Sequence, residues 1–517
     1  MTIKSGMLTN SASGLVERFL NLSVQIWLYQ YLIKRISPAE YSLYPVVTAL
    51  MVFVPPFMVV LTAGLLRDTV EAHARKDDQR VTEITSTMFP VLLAGGVALA
   101  LLALVVARFI GSILSIAPER LWEARVMVLL LFGSLSLRFI LIPFGIGLYV
   151  RQKFVVTNTL NMLQTLIRVL LLFILLLGAG PRVLWVVVAS VAADVAIVVA
   201  TTILSVQALP VLRFRFEAVR WELLSSLMTF GLWNMIGSIG VLIRKSSDLL
   251  ILNRFATPID VNTFHLASLP DNQIDAAMDK VKEPLVPHVV ASHTTGGPRT
   301  LQTIVLKGAC YSMWAVFLVA TPLILFRQQL WSLYLGSELQ VYADIPLVMV
   351  LLLACYWIEG PMSMIGLAAY AMNRMRWLSI LVIASSIFNV VITMYFVRVR
   401  HMGAVGSALG TLISILLLVP FPMGKFALDL LGLKLGTWLK VEIWRAVLPS
   451  AVAGLFGLGW RYLLRPHTAP ELFLAVATVA TIYLMTILLS CLDQDEYRQL
   501  KYLFAKLSWQ KALWRSG

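Results

Sequence analysis

Residues 231–284 read GLWNMIGSIGVLIRKSSDLLILNRFATPIDVNTFHLASLPDNQIDAAMDKVKEP. Asn234, Ser238, Lys245 and Asp248 recur at helical spacing, and Arg244 stands four residues before Asp248, where an in-helix ion pair forms. One face of that helix is polar. After a short connection, Asp271, Asp275 and Asp279 follow at i, i+4 and i+8 along a second helix, with Lys280, Lys282 and Glu283 at its end. These charges sit where the rest of the chain calls for lipid.

Of the 517 residues, 59% are hydrophobic and 13% charged, whereas charged residues make up about a quarter of a soluble globular protein. The composition is that of an all-α, polytopic integral membrane protein. The formal net charge of +15 is what Lys and Arg in cytoplasmic loops produce, so no nucleic-acid partner is expected. Cys310, Cys355 and Cys491 lie in apolar segments without CxxC or metal-ligand spacing, which argues against a disulfide framework or a zinc site. The six histidines are scattered with no HExxH pair, and no GxxxxGK[ST] loop occurs. An enzyme is not expected, nor a cofactor or metal ion. The polar N-terminal stretch shows no signal-peptide cleavage pattern, so the first helix is expected to be its own insertion signal.

Windows of ~20 mostly apolar residues can be laid down about fourteen times. The eighth, Val261 to Pro287, is too polar to be recognised by hydropathy alone. The positive-inside rule decides for it: with all segments crossing and the N-terminus inside, loops on the inner side are the richer in Lys and Arg both before it (Arg75, Lys76, Arg80) and after it (Lys434, Lys440, Arg445). A crossing helix with that many carboxylates must turn its charged face to protein or water.

Weak internal similarity links the hairpin from Gly14 with the hairpin from Gly231: a polar-striped helix, a basic residue, a Pro-containing turn, an aromatic. The expected organisation is two six-helix lobes around a central cavity, spans one to six in 1–210 and spans seven to twelve in 211–424. An interfacial amphipathic helix over 425–445 follows, then two further spans in 446–491 and a cytoplasmic amphipathic tail over 492–517.

Polar stripes recur in the first lobe. Arg18, Asn21 and Gln25 share a face with Glu17 beside them, as do Asn161, Gln164 and Arg168, while Arg138, Asp194 and Glu359 stand alone in their spans. Repeated stripes imply a hydrated cavity, because a mid-membrane charge costs several kcal/mol unless paired or wetted. Intramembrane Arg suits a phosphate-bearing substrate, whose oxygens its fork holds in pairs. The aspartate row would pair these cations in the empty state or carry protons.

The turn Lys34-Arg35-Ile36-Ser37-Pro38-Ala39-Glu40-Tyr41-Ser42-Leu43-Tyr44 resembles the RxxGPEEYGLY turn of Wzx-type oligosaccharide flippases in the multidrug/oligosaccharidyl-lipid/polysaccharide exporter superfamily, with Ser42 for the usual Gly. Asp248 with Asn253-Arg254-Phe255, Asn373-Arg374-Met375-Arg376, and the run from Gly403 to Gly410 are further similarities, diffuse over roughly 10–490. The resemblance implies a V-shaped alternating-access bundle in the bacterial inner membrane, both termini cytoplasmic. Its substrate would be a polyprenyl-pyrophosphate-linked oligosaccharide for polysaccharide or lipopolysaccharide synthesis. It also implies that Arg18, Arg244 and Lys245, with Arg168, hold the pyrophosphate. Glu17, Asn21, Gln25, Asn234, Asp248, Asp271, Asp275, Asp279 and Lys282 would line the cavity or couple ions. The acidic eighth segment departs from the family, where it is more apolar. A polysaccharide polymerase or glycosyltransferase complex is a further candidate partner. The alternatives are an ion-coupled multidrug antiporter, a membrane anchor of an assembly complex, or a membrane glycosyltransferase or polymerase, for which the loops are short.

Overall fold

The computed structural model describes residues 24, 26–51, 54, 58, 65, 66, 68–73, 75–151, 153–282, 297–372, 374–434, 444–464, 468–494 and 496–498. Among them every regular element is helical. The principal helices are α1 (Leu43–Met51), α2 (Asp78–Ile113), α3 (Leu121–Gly145), α4 (Phe154–Gly178), α5 (Val183–Ala208), α6 (Glu222–Phe255) and α7 (Pro258–Ala267). They continue as α8 (Leu269–Lys282), α9 (Gly297–Leu325), α10 (Ile345–Ala354), α11 (Met375–Met394), α12 (Gly403–Leu418), α13 (Trp444–Leu464) and α14 (Ala469–Thr486). Among the described residues, ten helical stretches are long and apolar enough to cross a membrane, each at a position read from the sequence as a span. The chain is a multi-pass, all-α membrane protein.

Local chemistry sets the helix ends. Asp77 caps α2 by accepting the Arg80 N–H at 2.9 Å, and Thr468 with Glu471 closes a capping box at the start of α14. The eighth segment, read as one helix, is interrupted at Ser268. Pro270, in the first turn of α8, has no N–H to return to the carbonyl four residues back. Of the helix expected over 425–445, the described part runs Gly424–Leu431 and stops where Gly432 takes φ +62, the left-handed conformation a glycine adopts without strain. Residues 435–443, and the tail from 499 onward, lie outside the described residues.

Contacts group the chain into two compact units, Met1–His265 with Val382–Ser407, and Leu266–Leu381 with Ala408–Gly517. In the first, α2 packs on α3, α3 on α5 and α5 on α4, while α1 lies against α3, α5 and α6. Close approach of α2 and α3 depends on Gly95 and Gly96, where an added Cβ would collide with Phe139 and Ile140. α6 and α11 also meet there. Ser386 donates to the Gly240 carbonyl at 2.6 Å and Thr393 donates to Asp248 at 3.3 Å, so the two helices run in the same direction.

In the second unit α9, α13 and α14 pack together, and α8 lies on α9 and α10. Beyond α14, Glu496 gathers Lys307 of α9 at 3.1 Å, Arg445 of α13 at 2.7 Å and the Tyr311 hydroxyl at 2.5 Å. Burial alone would raise the Glu496 carboxyl; hydrogen bonds from Tyr311, the Asp493 N–H and Lys307, with the Arg445 charge, outweigh it and hold it at about 2. A folded value below the ordinary 4.5 means that this contribution to stability is complete above pH 4.5 and lost as pH falls towards about 2. Thermal unfolding of wild type is therefore expected to lose more between those pH values than that of Glu496→Gln. Parallel pH profiles would contradict the assignment.

Candidate functional site

Glu17, Arg18, Asn21 and Gln25 lie outside the described residues. Asn234, Lys245, Asp279 and Lys282 are on α6 and α8 by their backbones, and their side chains are outside what is described. The remaining site candidates fall into three settings.

The first is the buried carboxylate of Asp248 on α6, which is 4% exposed. Its Oδ1 accepts the Ser407 hydroxyl of α12 at 2.8 Å and the Thr393 hydroxyl of α11 at 3.3 Å. Asn389, fully buried, stands one turn before Thr393 on the same helix. Arg244 is one turn before Asp248 and half-buried. The turn that brings α12 back to α11 is held by Asp260, which accepts the Ala404 N–H at 3.0 Å and sits where a Cβ on Gly403 would be. Hydroxyls from α11 and α12 thus converge on one carboxylate of α6. An oxygen-only donor set of this kind suits a proton or a hard cation.

The second setting surrounds Arg168. It is half-buried on α4 and acts on the Tyr44 hydroxyl, which shares a hydrogen bond with Tyr29. The rings of Tyr29, Tyr41 and Tyr44 enclose His265 of α7 at centroid distances of 5.4, 6.1 and 6.2 Å. The first hairpin and the eighth segment are joined here, and again where Asn262 donates to the Pro38 carbonyl at 2.9 Å.

The third is the aspartate row in the second unit. Asp275 accepts the Tyr356 hydroxyl at 2.7 Å, and the same hydroxyl lies 3.1 Å from the Asp271 carbonyl. Tyr356 is buried one turn from Glu359. Asp275 is thus tied to the tenth span by its carboxylate, and Asp271 by its backbone carbonyl.

Two clusters were not legible as such. Arg138 and Asp194, solitary in their own spans, meet at 3.2 Å, with Ser134 and Gln164 on the same carboxylate. The available signal was weak: opposite charges at similar depth in different helices. Arg120 pairs with Glu40 at 2.9 Å and Glu123 at 3.1 Å, while Arg182 adds 3.8 Å to Glu123. Glu40 belongs to the turn quoted above and also accepts the first N–H of α5, from Val183, at 3.2 Å.

No protein-family model matches the chain. Over 248 residues it is 22% identical to the uncharacterized membrane protein EpsK of Bacillus subtilis (strain 168), covering 47% of this chain and 48% of that one. The match therefore spans about half of that relative. In structure the chain is similar to the lipid II flippase MurJ in an inward closed conformation, with a TM-score of 0.67 at 14% identity, covering 92% of this chain and 97% of that one. It is also similar to an inward-facing multidrug resistance MATE family transporter of the MOP superfamily, with a TM-score of 0.63 at 14% identity, covering 80% of this chain and 95% of that one. The fold is that of the MOP-superfamily transporters.

Proposed function

We propose that this chain is a flippase. It moves a polyprenyl-pyrophosphate-linked oligosaccharide from the cytoplasmic to the periplasmic leaflet of a bacterial inner membrane, with both termini cytoplasmic. The two lobes, 1–210 and 211–424, alternate access to the cavity between them, and ion exchange at Asp248 supplies direction. Arg18, Arg168, Arg244 and Lys245 hold the pyrophosphate, because a cation at mid-membrane is sustained by an anionic cargo or by water. The single observation that carries the reading is the extent of the likeness: the lipid flippase covers 92% of the chain, whereas the multidrug transporter covers 80% and leaves about a fifth unmatched.

A second reading, an ion-coupled antiporter of small molecules, is favoured by the buried Asp248 carboxylate with its two hydroxyl partners. The two readings separate in cells where the protein can be depleted. If the flippase reading holds, lipid-linked oligosaccharide accumulates on the cytoplasmic side, detected with a periplasm-restricted probe, and the wild-type chain rescues it while Arg244→Ala does not. An unchanged leaflet distribution on depletion would turn the assignment to antiport.

A further inference from the structure

Arg138, Gln164 and Asp194 come from α3, α4 and α5 and meet near the middle of each apolar stretch. Asp194 is held on three sides. Its Oδ1 takes the Arg138 guanidinium at 3.2 Å and the Gln164 amide, and its Oδ2 takes the Ser134 hydroxyl at 3.1 Å. Arg138 commits one nitrogen to this contact, and its side chain is 43% exposed. The direction of that exposure follows from helix geometry. At about 100° per residue, Arg138 lies roughly half a turn around α3 from the exposed apolar stripe of Trp122 and Leu129. It shares instead the face that is buried at Glu123, Met127 and Ser134. The guanidinium thus opens away from the lipid-facing stripe, where only water or an anion can sustain it at that depth.

We propose that Arg138 is a binding site for a pyrophosphate group, and that Asp194 is its built-in counter-ion, holding the guanidinium when the site is empty and ceding it when the ligand arrives. Arg138 thereby adds to the flippase reading, on which this rests, a pyrophosphate contact on α3. A single carboxylate ligand would only exchange with Asp194 at no gain. A multiply charged phosphate engages the open corners of the fork, while Asp194 keeps its bonds to Gln164 and Ser134.

The test measures binding of inorganic pyrophosphate and of farnesyl pyrophosphate to the purified full chain in nanodiscs. Arg138→Gln is expected to weaken binding about tenfold or more, the worth of one charge-assisted bond, and Arg138→Lys to fall between. Asp194→Asn is expected to strengthen binding by removing the competitor. Because Arg138→Gln leaves a carboxylate without its cation, the double variant Arg138→Gln/Asp194→Asn, which removes both charges, is measured beside it and is expected to fold and to bind as weakly. Tighter binding of the farnesyl probe by wild type identifies a lipid headgroup as the source, and equal binding a free anion; either upholds the site if Arg138→Gln loses it. Asp194→Asn weakened as much as Arg138→Gln, or a double variant that binds like wild type, would show a merely structural pair. If wild type binds and Arg138→Gln loses nothing while Arg244→Ala does, Arg138 is excluded and the flippase reading stands. Wild type that binds neither probe overturns both.

Discussion

Replacing Asp248 by asparagine is expected to abolish transport by the reconstituted protein while leaving insertion and folding intact. The substitution keeps the shape and an oxygen that the Ser407 and Thr393 hydroxyls can still donate to. What it removes is the charge, the one property by which this buried group can exchange a proton or cation. A fall in initial rate of at least about tenfold corresponds to some 1.4 kcal/mol in the barrier. Alanine is the harsher test, because two buried hydroxyls would also lose an acceptor, at about 1–3 kcal/mol each. Undiminished transport by Asp248→Asn would make the carboxylate a structural cap between α6, α11 and α12.

Arg120→Ala is expected to produce the largest loss of stability. Glu123 is 2% exposed and Glu40 nearly as buried, and both depend on the Arg120 guanidinium. Removing one partner of a buried ion pair leaves an uncompensated charge and costs about 3–5 kcal/mol. Here two carboxylates lose that partner, Glu123 keeping only Arg182 at 3.8 Å, and Glu40 also positions the start of α5 through Val183. Thermal unfolding in detergent is the measurement, with Glu123→Gln in the Arg120→Ala background expected to recover part of the loss. An unfolding midpoint equal to that of wild type would show a solvated surface network.

The fold was legible because lipid imposes a coarse and repeated demand: about 20 apolar residues per crossing leave a signature that survives without any local motif. The same demand made the eighth segment conspicuous, and Pro270, which divides it into α7 and α8, was in plain view in the sequence. Partnerships between helices were not legible. Periodicity relates Arg244 to Asp248 within one helix, but nothing in it ties Asp248 to Thr393 and Ser407, more than a hundred residues away. Their hydroxyls are also inconspicuous in apolar spans, where they usually bond to their own backbone. Arg138 and Asp194 looked solitary for the same reason. Glu40 was noticed as part of a turn, and its role in holding Arg120 and Val183 appears only when α3 and α5 are brought beside it.

The most direct measurement of the central claim uses the purified chain in proteoliposomes loaded with a fluorescent polyprenyl-pyrophosphate oligosaccharide, and follows the fraction accessible to a membrane-impermeant quencher. Wild type is expected to equilibrate the lipid between leaflets, Asp248→Asn and Arg244→Ala to leave about half of it protected, and a neutral polyprenyl-linked sugar lacking the pyrophosphate not to be moved. Protection equal to protein-free vesicles in wild type, under an imposed ion gradient of either direction, would contradict that claim.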